Sequence, residues 1–287
     1  MASTLRSATS PSRSGAHRVG RRDRPGRVTT MIEIGGVANG RVHLSVDGPV
    51  ATLVLEDPVR RNAMGSDMYA SIPDLVADAV AGGAVRVLVV RGANRTFCAG
   101  SNIAEFADRR LGDAHRGYDR IEHEAAAALE ASPVPVVAAI HGVCMGGGVS
   151  LALCADLRYA ADDAVFAVPP GRLGVGYPVD ATARLAEVVG RATAAELLLT
   201  ARRIDAAEAL RIGLVHEVVP ADNLDRVVAE RCADVAALAP LTLRAARAAL
   251  AGRPDAVELA AACFHSDDLR EGLAAFEAGR RPEFRGR

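Results

Sequence analysis

Two short apolar runs, each emptying into a glycine-flanked turn, constrain this chain more than any other feature. Residues 85–90 (VRVLVV) lead to Phe97-Cys98-Ala99-Gly100-Ser101-Asn102-Ile103, and residues 134–140 (VPVVAAI) lead to His141-Gly142-Val143-Cys144-Met145-Gly146-Gly147-Gly148. Short β-branched runs of this kind read as strands buried on both faces of a parallel sheet. Ligands bind at the ends of such strands, and free N–H groups at the start of a following helix attract negative charge. Two N–H groups converging from different strands make an oxyanion hole. Either glycine cluster alone has a plainer explanation in a tight turn or close packing.

The rest of the chain fits an α/β core with a helical tail. Residues 41–46 and 50–55 flank Asp47-Gly48, a hairpin signal. Helical spacing runs over 66–79 and again over 115–131, where Ile121, Ala125 and Leu129 are the apolar positions. An apolar helix at 149–154 follows the second turn, and DLRYAA and AVFAVP read as strands. After Tyr177 the pattern is mostly helical, at 181–189, 192–199, 205–212, 223–237, 240–251, 255–265 and 267–278. Strands alternating with helices, then helices alone, predict an α/β domain over 31–220 and a helical region over 221–287. No internal repeat is present.

Composition removes several functions. The 34 basic residues against 35 acidic ones give a net charge of −1, and all the basic residues are arginine. Without a lysine amine, Schiff-base chemistry, pyridoxal-phosphate enzymes and Walker-type phosphate loops are excluded. With no Trp and ten Phe and Tyr together, the chain lacks stacking platforms, and no nucleic-acid partner is expected. Five cysteines without a CxxC pair predict a reducing, cytoplasmic setting and no zinc site. No uncharged apolar run is long enough to span a membrane. Residues 1–30 hold seven Arg and one Asp, amid Ser and Gly and without apolar periodicity, and read as a disordered basic leader. Three readings stay open for it: an arm for an acidic partner, an Arg-rich transit peptide, or a stretch preceding a native start at Met31.

Five segments in order carry a resemblance: RRNAM (60–64), RTFCAGSNIAEF (95–106), PVPVVAAIHGVCMGGGVSLALCADLRYAA (133–161), LLLTARRIDAAEALRIGLVHEVV (197–219) and LREGLAAFEAGRRPEF (269–284). From about Val42 to Phe284 the chain resembles the enoyl-CoA hydratase/isomerase, or crotonase, family. The resemblance implies a crotonase-like α/β fold of repeated ββα units, with C-terminal helices that mediate trimers or dimers of trimers. It implies a coenzyme A thioester as ligand and no further cofactor or metal. The thioester oxygen would accept from the Ser101 and Gly147 N–H groups. Arg60, Arg61, Ala63, Ala99, Asn102 and Ile103 would line the path of the coenzyme A moiety. Arg280 and Arg281, beside the slot of a family cation occupied here by Gly279, would reach the coenzyme A phosphates of a neighbouring subunit.

The departures from the family pattern bear on the chemistry. The slots of the two hydratase glutamates hold Ser150 and Pro170, neither of which is an acid or base at neutral pH without help. Tyr177 stands where crotonase-type methylmalonyl-CoA decarboxylases carry a tyrosine, although those relatives have histidine in the slot of Ser101. The favoured reading is therefore an acyl-CoA lyase that decarboxylates a malonyl-type thioester with Ser101, Gly147 and Tyr177. Hydration or isomerisation with a non-standard base such as His123 or Glu124 is one alternative, and acyl-CoA binding without chemistry is another. His141, Cys98, Cys144 and Asp156 read as structural residues.

Overall fold

In the computed structural model, residues 40–287 are described in full, and residues 17–21 and 29–34 as backbone. Strands β1 (His17–Arg21), β2 (Thr29–Ile34), β3 (Arg41–Asp47) and β4 (Val50–Glu56) form an antiparallel series. The β3–β4 turn is two residues long and has Gly48 at φ +56°, the backbone twist that a tight hairpin requires. Helix α1 (Ser66–Val80) crosses over to β5 (Val87–Gly92), which lies parallel to β4. The short α2 (Phe106–Arg109) and the long α3 (His115–Glu130) lead to β6 (Val136–Ile140), parallel to β5. After β7 (Val143–Met145) and α4 (Gly147–Leu153) come β8 (Leu157–Ala161) and β9 (Val165–Ala167). Next are α5 (Val179–Val189), α6 (Arg191–Thr200), β10 (Ile204–Asp205), α7 (Ala206–Arg211) and β11 (Glu217–Val219). Helices α8 (Leu224–Ala236), α9 (Pro240–Leu250), α10 (Ala256–Cys263) and α11 (Asp267–Glu277) complete the chain.

The main sheet has the order β1-β2-β3-β4-β5-β6-β8-β11, and β10-β9-β7 form a second, smaller one. Alternate residues of β5 and β6 enter two different cores, which is why these runs show no polar alternation. Leu88, Val90, Val136, Ala138 and Ile140 pack toward α1 and α3; Val87, Val89, Val137 and Ala139 pack against Leu224, Val228 and Cys232 of α8. Among the described residues, no helix is long and apolar enough to cross a membrane.

Two expectations are corrected. The stretch after Tyr177 is not purely helical: β10 closes on β9, and β11 adds to the edge of β8. Both strands are too short to show a periodicity of their own. Residues 17–21 and 29–30, read as disordered, lie in β1 and β2, with Ile32 opposite Leu44 of β3. Pairing along an open sheet edge is a backbone interaction and needs no apolar period. The remainder of the basic leader, residues 1–16 and 22–28, lies outside the described residues.

Asp156 takes the structural role expected of it. Its Oδ2 accepts from the Val136 N–H (2.7 Å) at the start of β6 and from Arg247 Nε of α9 (2.7 Å), while Arg247 also donates to the Ser132 carbonyl. The Arg247 side chain is only 13% exposed, so Arg247→Ala leaves a carboxylate and a carbonyl short of a donor. The expected cost is about 2 kcal/mol. A melting point lowered by ~4–8 °C checks it.

Candidate active site

The two glycine turns are joined by backbone pairing. Cys98 N–H donates to the Val143 carbonyl (2.8 Å), and Met145 N–H donates to the Cys98 carbonyl (2.9 Å). On its far side the first turn pairs with the RRNAM segment: Met64 N–H donates to Gly100 (2.7 Å), and Asn102 N–H donates to Met64 (2.8 Å). Ser101 is the residue bridged in parallel by Met64, so its own N–H turns away from Met64. Gly147 opens α4, and the first N–H groups of a helix have no partner within it. A Cβ built on Gly147 would lie 3.3 Å from the Ser101 nitrogen, so the two amides are neighbours. That Cβ would also collide with the Tyr69 hydroxyl. Gly146 is held at φ +50°, ψ −113°, a conformation that disfavours a side chain. These requirements account for the first two glycines of the cluster.

The amides sit on the wall of a cleft that is open at its mouth. Ile103, Phe106, Ala126, Leu151, Pro169, Leu173 and Val175 make it largely apolar. A polar chain runs along one wall. The Ser101 hydroxyl donates to Glu122 Oε1 (2.7 Å) and lies 3.3 Å from the Tyr69 hydroxyl, while Arg110 donates to Glu122 Oε2. Arg110 is itself stacked at 4.2 Å over the Tyr118 ring and 5.0 Å over Phe106. Burial pushes the Glu122 carboxyl above the ordinary glutamate value, against the pull of Arg110 and Ser101. On another part of the wall, Arg184 pairs with Asp180 (3.2 Å) and Glu130 (2.9 Å) and lies 3.5 Å from the Ser150 hydroxyl.

The structure sorts the expected site residues. Ala99, Ser101, Ile103, Gly147, Ser150, Pro170 and Tyr177 all line the cleft. Tyr177 donates to the Gly146 carbonyl (3.1 Å), and burial raises its phenol further above the usual tyrosine value. Arg60, Arg61, Ala63, Asn102 and Arg280 lie outside the cleft lining. Arg60 pairs with Asp57 (3.1 Å), Asn102 caps the turn at Ala104 (3.2 Å), and Arg280 is held by Glu271 (2.6 Å) on the C-terminal surface. Ala63 is buried and Arg61, at φ +54°, is exposed. The Arg61 backbone instead serves the first turn, since the Ala99 N–H donates to its carbonyl (3.0 Å).

Of the two alternative bases, His123 reaches the cleft but is exposed and lies 3.4 Å from Asp180. Glu124 points outward beside Arg120 (3.8 Å). The residue missed between Ile121 and His123 is Glu122. A signal for it exists: Tyr118, Glu122, Ala125 and Leu129 follow helical spacing, which places a carboxylate on the buried stripe of α3. Tyr69 likewise falls on the buried stripe of α1 with Ile72, Val76 and Ala79, whereas Arg110 carries no comparable signal.

This is an α/β protein with two neighbouring backbone amides in the wall of a largely apolar cleft. The family model described as enoyl-CoA hydratase/isomerase matches residues 46–287. The chain is 32% identical over 258 residues to a crotonyl-CoA hydratase of Syntrophomonas wolfei, covering 86% of this chain and 99% of that one. It is 30% identical to a peroxisomal Delta(3,5)-Delta(2,4)-dienoyl-CoA isomerase of Arabidopsis thaliana, covering 85% and 95%. A crystal structure of an enoyl-CoA hydratase/carnithine racemase from Magnetospirillum magneticum superposes with a TM-score of 0.84 at 33% identity, covering 89% and 97%. The chain belongs to the enoyl-CoA hydratase/isomerase family and has its crotonase-like α/β fold.

Proposed function

We propose that this protein binds an acyl-CoA thioester with its carbonyl oxygen between the Ser101 and Gly147 N–H groups and works through the thioester enolate. The observation that carries the reading is the adjacency of those two amides in an apolar cleft. Each such donor contributes roughly 2.7–4 kcal/mol to an oxyanion that forms in the transition state. The reaction favoured is proton transfer beside the thioester, of the isomerase type. Ser150 and Pro170 supply no pair of carboxylates to hold a water for addition.

Decarboxylation is the second reading, supported by those neutral residues and by Tyr177 in the same wall. The departing carboxylate would leave its electron pair in the enolate, so no general base is needed. The Tyr177 hydroxyl, however, spends its proton on the Gly146 carbonyl. Tyr177→Phe is therefore expected to weaken thioester binding a few-fold and leave kcat within about threefold. A kcat loss of ~10–100-fold with unchanged binding would return the phenol to a proton-donating role.

A substrate panel tests the main reading. Conversion of a 3-enoyl-CoA to its 2-enoyl isomer supports it; release of carbon dioxide from malonyl- or methylmalonyl-CoA selects the second. Fast hydration of crotonyl-CoA contradicts both, and saturable binding without turnover of any of these leaves a binding protein.

Self-association is part of the proposal. Leu250, Val257, Phe264, Leu273 and Phe276 of the C-terminal region are 58–87% exposed, an apolar surface that suits a second copy of this chain. A trimer or hexamer by light scattering is expected, and a monomer at micromolar concentration contradicts it.

A further inference from the structure

We infer that Glu122 is the general base of this site, taking the proton from the thioester α-carbon in place of the glutamates whose slots hold Ser150 and Pro170. This rests on the enolate reading above and names the group that performs its proton transfer. Three carboxylates line the cleft, and their surroundings separate them. Asp119 is 51% exposed, so water competes for its charge. Burial pushes Asp180 up, but the Arg184 guanidinium, the Ala181 N–H and His123 together hold it below the ordinary aspartate value, which makes it a poor base. Glu122 is 12% exposed and bonded to the hydroxyl of the residue that supplies one of the two amides.

The geometry leaves the carboxylate with the capacity to act. Oε1 accepts from Ser101 and Oε2 from Arg110, and each carboxylate oxygen retains a further lone pair. In the proposed step the Cα–H bond breaks and its proton goes to Glu122. The electron pair moves into the thioester carbonyl, and the enolate oxygen is held by the Ser101 and Gly147 N–H groups. Return of the proton to Cα restores the thioester, and delivery to Cγ of a 3-enoyl chain would shift the double bond. No oxidant, metal or second substrate enters the balance.

Arg110 is a positioning residue. Stacked against Phe106 and Tyr118, it donates to Glu122 Oε2 and fixes the carboxylate. Arg110, Asp119, Ser101, Tyr69, Tyr118 and Tyr177 are the charged and titratable or hydroxyl-bearing groups around Glu122. Burial dominates among these influences and raises the carboxyl, which strengthens it as a base. Because the ionised form is the base, activity should rise with pH through that elevated value and fall below it.

The test is exchange of the α-protons of butyryl-CoA in D₂O, followed by mass spectrometry, with binding measured separately by calorimetry. The wild-type protein is expected to exchange. Glu122→Gln keeps the acceptor for Ser101 and should lower exchange ~10²–10⁴-fold. Its Kd for butyryl-CoA should stay within a few-fold. Glu122→Asp should recover part of the rate, and Ser101→Ala, which retains the N–H, should lose less than Glu122→Gln. Exchange by Glu122→Gln within threefold of wild type, with the same pH profile, would overturn the role of Glu122 and leave the enolate reading standing. A wild-type protein that binds butyryl-CoA without exchanging its α-protons would overturn both. Should Glu122→Gln fail to fold, the pH profile of the wild-type protein decides: a rate independent of pH across the carboxylate range overturns the assignment.

Discussion

Gly147→Pro is expected to lower kcat/KM for any thioester this protein turns over by at least ~100-fold, the lower bound for losing one oxyanion donor. The reason is narrow. Proline is well accepted at the first position of a helix, where its missing N–H has no intrahelical partner to lose. At Gly147 that position is occupied by the amide that faces Ser101. The ring would also meet the Tyr69 hydroxyl, so steric and electronic effects must be separated. Gly147→Ala combined with Tyr69→Phe provides the separation, because it keeps the N–H while removing the oxygen that a Cβ would strike. This double variant should retain activity within about tenfold if its melting point is close to that of Tyr69→Phe alone. Activity of folded Gly147→Pro within a few-fold of wild type would remove the amide from the mechanism.

The largest expected effect on stability is at Asn62, in the RRNAM segment. Its side chain is 1% exposed and donates to the Ala93 carbonyl (2.9 Å) and the Thr96 carbonyl (2.6 Å), while its Oδ1 accepts from the Asp57 N–H (3.0 Å). The residue also stands at φ +58°, a conformation that asparagine tolerates better than alanine. Asn62→Ala removes three hydrogen bonds at about 1 kcal/mol each and adds ~1 kcal/mol of backbone cost. A melting point lowered by roughly 10 °C is the expected reading. Asn62→Asp, which sets a carboxylate oxygen against the Ala93 and Thr96 carbonyls in a buried site, should cost at least as much at neutral pH. A loss below ~1 kcal/mol for the alanine variant would mean that water replaces the side chain there. Because the same segment pairs with Ala99 and Ser101, the alanine variant should also bind thioesters more weakly.

The sequence by itself determined β3 to β6, β8 and β9, the major helices and the two glycine turns that pair with each other. Strand and helix periodicities are local, and β5 and β6 are buried on both faces, so their unbroken apolar runs carried the signal. The family motifs span the turns that build the first and second amides, which places Ser101 and Gly147 without knowledge of the packing. Tertiary structure decided which polar side chains enter the cleft. Glu122, His123 and Glu124 are consecutive, yet rotation by about 100° per residue puts the first against Ser101 and the last in solvent. That phase is set by how α3 packs on α1, and Arg110 reaches Glu122 only because the preceding loop folds back over the same face. Likewise the pairing of Arg60 with Asp57 and of Arg280 with Glu271 is set by the fold. Strand β2 depends on the backbone groups offered by β3, and the edge strand β1 on those of β2, a property of the folded sheet that residue pattern does not encode.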